Sequence, residues 1–271
     1  MTSVVHTLPG TATLPNAARL RGRCAVFLHA HPDDETIFTG ATMHQLAAAG
    51  ARVVLVTATG GELGPVLRPL RPGETLAARR RTELERACGL LGVSRLVAFD
   101  HRDSGMPGWA DNTHPAALVQ ADIPALARRL ADLCLEEGAE ILVHYDGDGI
   151  YRHPDHLAVH RIGTAAAALA GIAAYESTVD LNRAVAGPGH LVDTAAGGAR
   201  VGRSANEIRT VIVAGTADLA AKRAAMTAHS SQIPAAAVRR RGFAETYRRE
   251  WYLRTDAPGL LDLVAASQPP A

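Results

Sequence analysis

Short runs of apolar residues recur along the chain, separated by longer segments in which apolar positions return every three or four residues. The runs at 24–30, 52–59, 95–100, 140–146, 171–177 and 209–214 are nearly continuous rather than alternating, the pattern of strands buried on both faces. Helical periodicity fills 34–49, 76–91, 122–137, 155–170 and 216–230. Strand–helix alternation at this spacing predicts right-handed βαβ units. The expected fold class is α/β: a doubly wound, mainly parallel sheet with helices on both faces. The chain reads as a single domain over 1–271, with its core at about 23–232 and loose termini at 1–20 and 265–271. A long connection is expected at 182–207, and the segment 233–271 has no predicted place.

Two loops, 60–75 and 101–121, follow predicted strands and so fall on the carboxyl edge of the sheet, where open α/β sheets bind ligands. The same edge receives two histidine-rich junctions. The first strand runs into His31-Pro32-Asp33-Asp34-Glu35, and the fourth into Tyr151-Arg152-His153-Pro154-Asp155-His156. Proline and acidic residues suit the first turn of any helix, so either junction alone reads equally well as a helix start. In this topology, however, strands one and four are neighbours where the strand order reverses, so both junctions open onto one crevice. Imidazole and carboxylate together favour zinc or a similar transition metal. His31 and Asp34 can reach one point, and a third ligand from the other junction would complete a His₂Asp site open to water. Asp33 would stand free beside it to take a proton.

Composition narrows the remaining choices. The formal charge is +1, with 28 basic and 27 acidic residues, so nothing marks the chain for nucleic acid or an anionic membrane. The single lysine, Lys222, leaves no lysine for a phosphate-binding G-x-x-x-x-G-K-[ST] loop, and no G-x-G-x-x-G follows the first strand. Three scattered cysteines make no disulfide framework, and the N-terminus carries no secretory signal pattern. No apolar run is long enough to span a bilayer. The expectation is a cytoplasmic protein acting on a small molecule; self-association into a homo-oligomer is left open.

The two junction motifs resemble the signatures of the PIG-L/LmbE-like deacetylases, and the resemblance covers roughly residues 23–232. These are Rossmann-like, zinc-dependent hydrolases that remove acetyl groups from N-acetylglucosamine conjugates. The resemblance implies zinc ligands His31, Asp34 and His156, with Asp33 as general base. Ferrous iron or cobalt would suit the same ligands. It further implies that His153 stabilises the oxyanion or protonates the leaving amine, with Asp155 orienting it; by accepting the other N–H of that ring, Asp155 would also keep it charged near neutrality. Looser matches nominate Glu62 in the Thr59–Gly64 loop, Asp103 for hydroxyl recognition, Tyr151 at the cleft, and His229 near it. Arg80 extends the apolar stripe of Leu84, Ala87, Cys88 and Leu91, which independently demands a polar partner for its guanidinium. Trp109, Tyr145 and Tyr151 fall close enough to stack on a sugar. The competing readings are an amidase cleaving a larger amide, such as a thiol conjugate, and a metal-dependent sugar-binding protein without turnover.

Overall fold

The computed structural model describes residues 20–182, 190–192, 201–254 and 258–267. Seven strands form one sheet: β1 (Cys24–His29), β2 (Arg52–Thr59), β3 (Arg95–His101), β4 (Ile141–Tyr145), β5 (Ala173–Thr178), β6 (Thr210–Val213) and β7 (Arg249–Arg254). Their spatial order is β3-β2-β1-β4-β5-β7-β6. The first five strands are parallel, and β1 pairs with β2 through Ala25↔Val53 and with β4 through Ala25↔Ile141. The order therefore reverses between β1 and β4, as expected.

The principal helices are α1 (Asp34–Phe38), α2 (Gly40–Ala48), α3 (Leu76–Leu91), α4 (Ile123–Glu136), α5 (Pro154–Ala170), α6 (Thr216–Ala228), α7 (Ala235–Arg239), α8 (Phe243–Tyr247) and α9 (Leu260–Ala266). Alternate residues of β1 serve opposite layers. Val26 and Leu28 join a core with Leu130 of α4 and Val159 of α5, while Ala25 and Phe27 join one with Leu46 of α2 and Leu84 of α3. Helix ends follow local chemistry. Thr75 caps α3 by accepting from the Ala78 N–H, Asp122 caps α4 in the same way, and Gly92 ends α3 at φ 75°.

Two expectations need correction. The helix at 34–49 is two helices, broken at Thr39, whose hydroxyl bonds the His29 ring and the Glu35 carbonyl. The sheet reaches beyond the expected 23–232 core, because β7 inserts antiparallel between β5 and β6. It accounts for Trp251 and Tyr252, which the sequence alone left unplaced, and α9 extends the packed structure to Ala266. Most of the 182–207 connection, and residues 1–19 and 268–271, lie outside the described residues. All three cysteines are buried and unpaired, and no described helix is long and apolar enough to cross a membrane.

Candidate active site

Both histidine junctions are held in unfavourable backbone geometry. Asp33 sits at φ 124° just before α1; its N–H donates to Glu35 Oε2 at 2.8 Å, and its carbonyl accepts from Thr36 and Ile37. In the second junction, one Asp146 oxygen accepts the N–H groups of Asp148 and Ile150, making a tight turn. Ile150 and Arg152 then adopt φ 62° and 66°. Non-glycine residues avoid this region unless the surroundings over-determine it, and such residues gather at functional sites. Pro154 opens α5, with His153 as its cap: His153 Nδ1 accepts the Asp155 N–H at 3.2 Å.

The two junctions meet around one carboxylate oxygen. Asp34 Oδ2 lies 3.3 Å from His31 Nδ1 and 3.4 Å from His156 Nε2. The Tyr145 ring stacks 4.3 Å behind His156, and the Tyr151 hydroxyl lies 3.4 Å from His156 Nε2. On the far side of His31, Nε2 is 3.2 Å from Asp155 Oδ2 and 3.7 Å from Asp103 Oδ1. Nitrogens of His31, His153 and His156 all fall within 4.8 Å of one another, as do donor atoms of His31, Asp103, His153 and Asp155.

Charge in this cluster is unbalanced. Asp33, Asp34, Asp103 and Asp155 crowd together, and among the described residues lining the cleft Arg80 is the one permanent cation. Burial works against a charged His31, but Asp103, Asp155 and Asp34 together hold its pKa well above the ordinary value. Burial likewise opposes a charged Asp34, which His156 and His31 nonetheless keep well below the usual carboxylate range. A divalent cation among these donors would relieve the same surplus of negative charge. The donor set fits one: two imidazole nitrogens face a carboxylate oxygen, and the His31 nitrogen opposite is fixed by the Asp155 carboxylate, as metal-binding histidines usually are.

Asp33 and His153 stand beside these donors with different environments. Burial raises the Asp33 carboxyl to about 6, Arg80 opposing and Asp34 assisting. Burial, with His31 and His156 alongside, pushes His153 down to about 2. The expectation that Asp155 keeps His153 charged is therefore corrected. The Asp155 carboxylate accepts from the Ser104 N–H and hydroxyl and bonds His31, so it orients His31 rather than His153. With Nδ1 accepting a backbone N–H, His153 is a neutral imidazole whose proton resides on Nε2.

A cleft of about 470 Å³ opens over this cluster, lined by His31, Asp33, Asp34, Arg80, Asp103, Tyr151 and His153 among others. Arg80 reaches it, but its guanidinium is bound to the carbonyls of Gly61 and Pro32, to Gln232 Oε1 and, at 3.1 Å, to Asp33 Oδ1. It positions Asp33. Two nominations fail to reach the cleft walls. His229 is fully buried and its Nε2 bonds Glu35 Oε1 at 2.6 Å, so it backs the carboxylate that holds the Asp33 N–H. Glu62 lies off the lining, with Oε2 buried and unpartnered. Of the three aromatics, Trp109 and Tyr151 line the cleft, while Tyr145 is buried behind His156. The supporting roles of Ser104 and Glu35 were not foreseen; Glu35 had a faint signal as the last residue of the first motif.

Residues 26–167 match the PIG-L family, described as GlcNAc-PI de-N-acetylase. The chain belongs to the PIG-L family. The PIG-L match spans both junctions. A 1D-myo-inositol 2-acetamido-2-deoxy-alpha-D-glucopyranoside deacetylase from Streptomyces scabiei is 37% identical over 266 residues, covering 84% of this chain and 82% of the relative. One from Thermobifida fusca is 46% identical over 154 residues, 53% of this chain and 54% of the relative. The alignment thus spans about half the length of some curated PIG-L relatives. Among solved structures, the A40926 pseudoaglycone deacetylase shares the fold, with TM-score 0.61, 19% identity, and coverage of 86% of this chain and 97% of that one.

Proposed function

We propose that this PIG-L protein is a metal-dependent deacetylase that hydrolyses the acetamide of an N-acetylglucosamine-type conjugate. What supports the reading is that His31 Nδ1 and His156 Nε2 lie 3.3 and 3.4 Å from one Asp34 oxygen, with Asp33 and His153 beside them but differently bonded. His31 Nδ1, Asp34 and His156 Nε2 would hold the ion. Zinc is the default for two imidazoles and a carboxylate, and ferrous iron or cobalt suits the same donors. When bound, the ion supplies an acidified water and a Lewis acid for the acetyl oxygen.

The chain's own groups do the rest. Asp33, fixed at one oxygen by Arg80, takes the proton of the attacking water; a carboxyl raised towards neutrality can both accept that proton and release it. His153 donates its Nε2–H to the acetyl oxygen as negative charge develops there, as a neutral hydrogen-bond donor already in place. The proton on Asp33 then passes to the departing amine, which leaves as the glucosamine conjugate while acetate is released. Relatives named as deacetylases of a glucosamine–inositol conjugate support this reaction type.

The test is amine release from N-acetylglucosamine and its glycosides, with metal content measured in parallel. Chelation should abolish turnover and one equivalent of zinc should restore it. Full turnover in a protein verified to contain no metal would overturn the reading. Release of amine only from larger amides would move the activity to the amidase alternative.

A further inference from the structure

The walls of the cleft are unlike its floor. At the floor stand His31, Asp33, Asp34, Asp103 and His153. The outer walls come from the loops after β2 and β3, the stretch 190–192 and the segment after α6, and they present Leu63, Leu67, Met106, Trp109, Leu191 and Ile233. Two polar side chains beside these walls are engaged with the protein itself. Gln232 Nε2 donates to the Pro65 carbonyl at 2.8 Å and Arg102 pairs with Asp111 at 2.7 Å. Asp103 accepts the N–H groups of Gly105 and Leu63, tying the two loops together.

Resting on the deacetylase reading above, we propose that the outer cleft is an aglycone subsite for an apolar group, alkyl or aromatic, attached to the amino sugar. A polyol aglycone would lose water against these walls and gain few hydrogen bonds in return. The rim supports the assignment. Of the seven large apolar side chains exposed among the described residues, Leu67 and Trp109 line this cleft and Val66 adjoins Leu67. Exposed apolar surface gathered at a cleft mouth marks a binding region, whereas isolated exposed leucines do not. Trp109 is also seated rather than loose. Gly105, at φ +70°, gives it room, since a Cβ there would stand 2.6 Å from indole Cε3 and 3.2 Å from Leu63. A fixed, half-exposed indole offers a flat face at little entropic cost.

The experiment compares kcat/KM for N-acetylglucosamine carried on methyl, hexyl, phenyl and myo-inositol aglycones. Hexyl and phenyl should exceed both methyl and inositol by at least about tenfold, mostly through KM. Trp109→Ala should bring the hexyl-to-methyl ratio to within about threefold of one, while Leu169→Ala, an exposed apolar residue elsewhere, should leave the ratio intact. Calorimetric titration of the wild-type protein with hexyl glucoside should show binding with a negative heat-capacity change, and methyl glucoside should bind at least tenfold more weakly. If all four substrates turn over but inositol equals or exceeds hexyl, the aglycone proposal is overturned and the deacetylase reading stands. If none turns over while hexyl glucoside binds preferentially, the subsite stands and the deacetylase reading fails. Equal binding of hexyl and methyl glucoside overturns the subsite whatever the turnover.

Discussion

Two clusters of buried charge lie in this fold, and they are built on opposite principles. In one, Lys222 of α6 meets Glu250 of β7 at 2.6 Å, and both side chains are about 1% exposed. Glu250 also accepts from the Ala41 and Thr42 N–H groups and the Thr42 hydroxyl, and that hydroxyl lies beside Tyr252. One positive group balances one negative group, and the carboxylate's bonding needs are met from within. In the other, four carboxylates and three imidazoles gather at the floor of a cleft or, for Asp155 and His156, buried just behind it, with Arg80 as their permanent counter-charge. Burial of charge is common to both. Imbalance, and convergence of donors on a point reachable from solvent, belongs only to the second, and these are the features that separate a site from a brace.

Substitutions can break or sharpen that contrast. The largest effect is expected from His156→Ala, which removes a donor from the convergence point: the protein should fold, lose its metal by elemental analysis, and lose turnover with it. Asp33→Asn should keep the metal and lower kcat by about 10²–10⁴, the usual contribution of a general base. Near-normal turnover would reduce Asp33 to a helix-start carboxylate. Lys222→Met should do the reverse, costing about 3–5 kcal/mol in chemical denaturation because Glu250 is left buried without its cation, while turnover per folded molecule holds. If it removed activity without loss of stability, the two clusters would not be separable. The smallest effect is expected from Asp155→Asn, which weakens the acceptor that orients His31: metal affinity should fall about 10- to 100-fold in a chelator competition, with the fold unchanged.

The difference between the clusters also explains what could be read in advance. Apart from Asp103, the floor of the site was legible because its residues sit in two short contiguous motifs, each at the end of an apolar run, and because parallel topology alone brings those ends together. The brace was not. Arg249-Glu250-Trp251-Tyr252-Leu253-Arg254 carries charges at three of six positions, so no apolar run announces β7, and its antiparallel insertion follows from packing rather than local pattern. Within the site, the limit was direction. Sequence placed Asp155 near His153, but only the path of the loop carrying Ser104 shows its carboxylate turned to His31. Arg80 was seen to need partners; that two of its four are backbone carbonyls depends on a loop conformation that helical periodicity does not encode.

The positive-φ residues at the two junctions have an evolutionary consequence. Asp33, Ile150 and Arg152 each hold a conformation costing on the order of 1–3 kcal/mol, and none is a glycine that would relieve it. Random drift towards glycine at Ile150 or Arg152 would stabilise the local backbone while widening the range of directions in which Tyr151 and His153 point. Selection for thermal stability alone would thus erode these junctions, and their side chains should persist only in lineages where turnover is under selection.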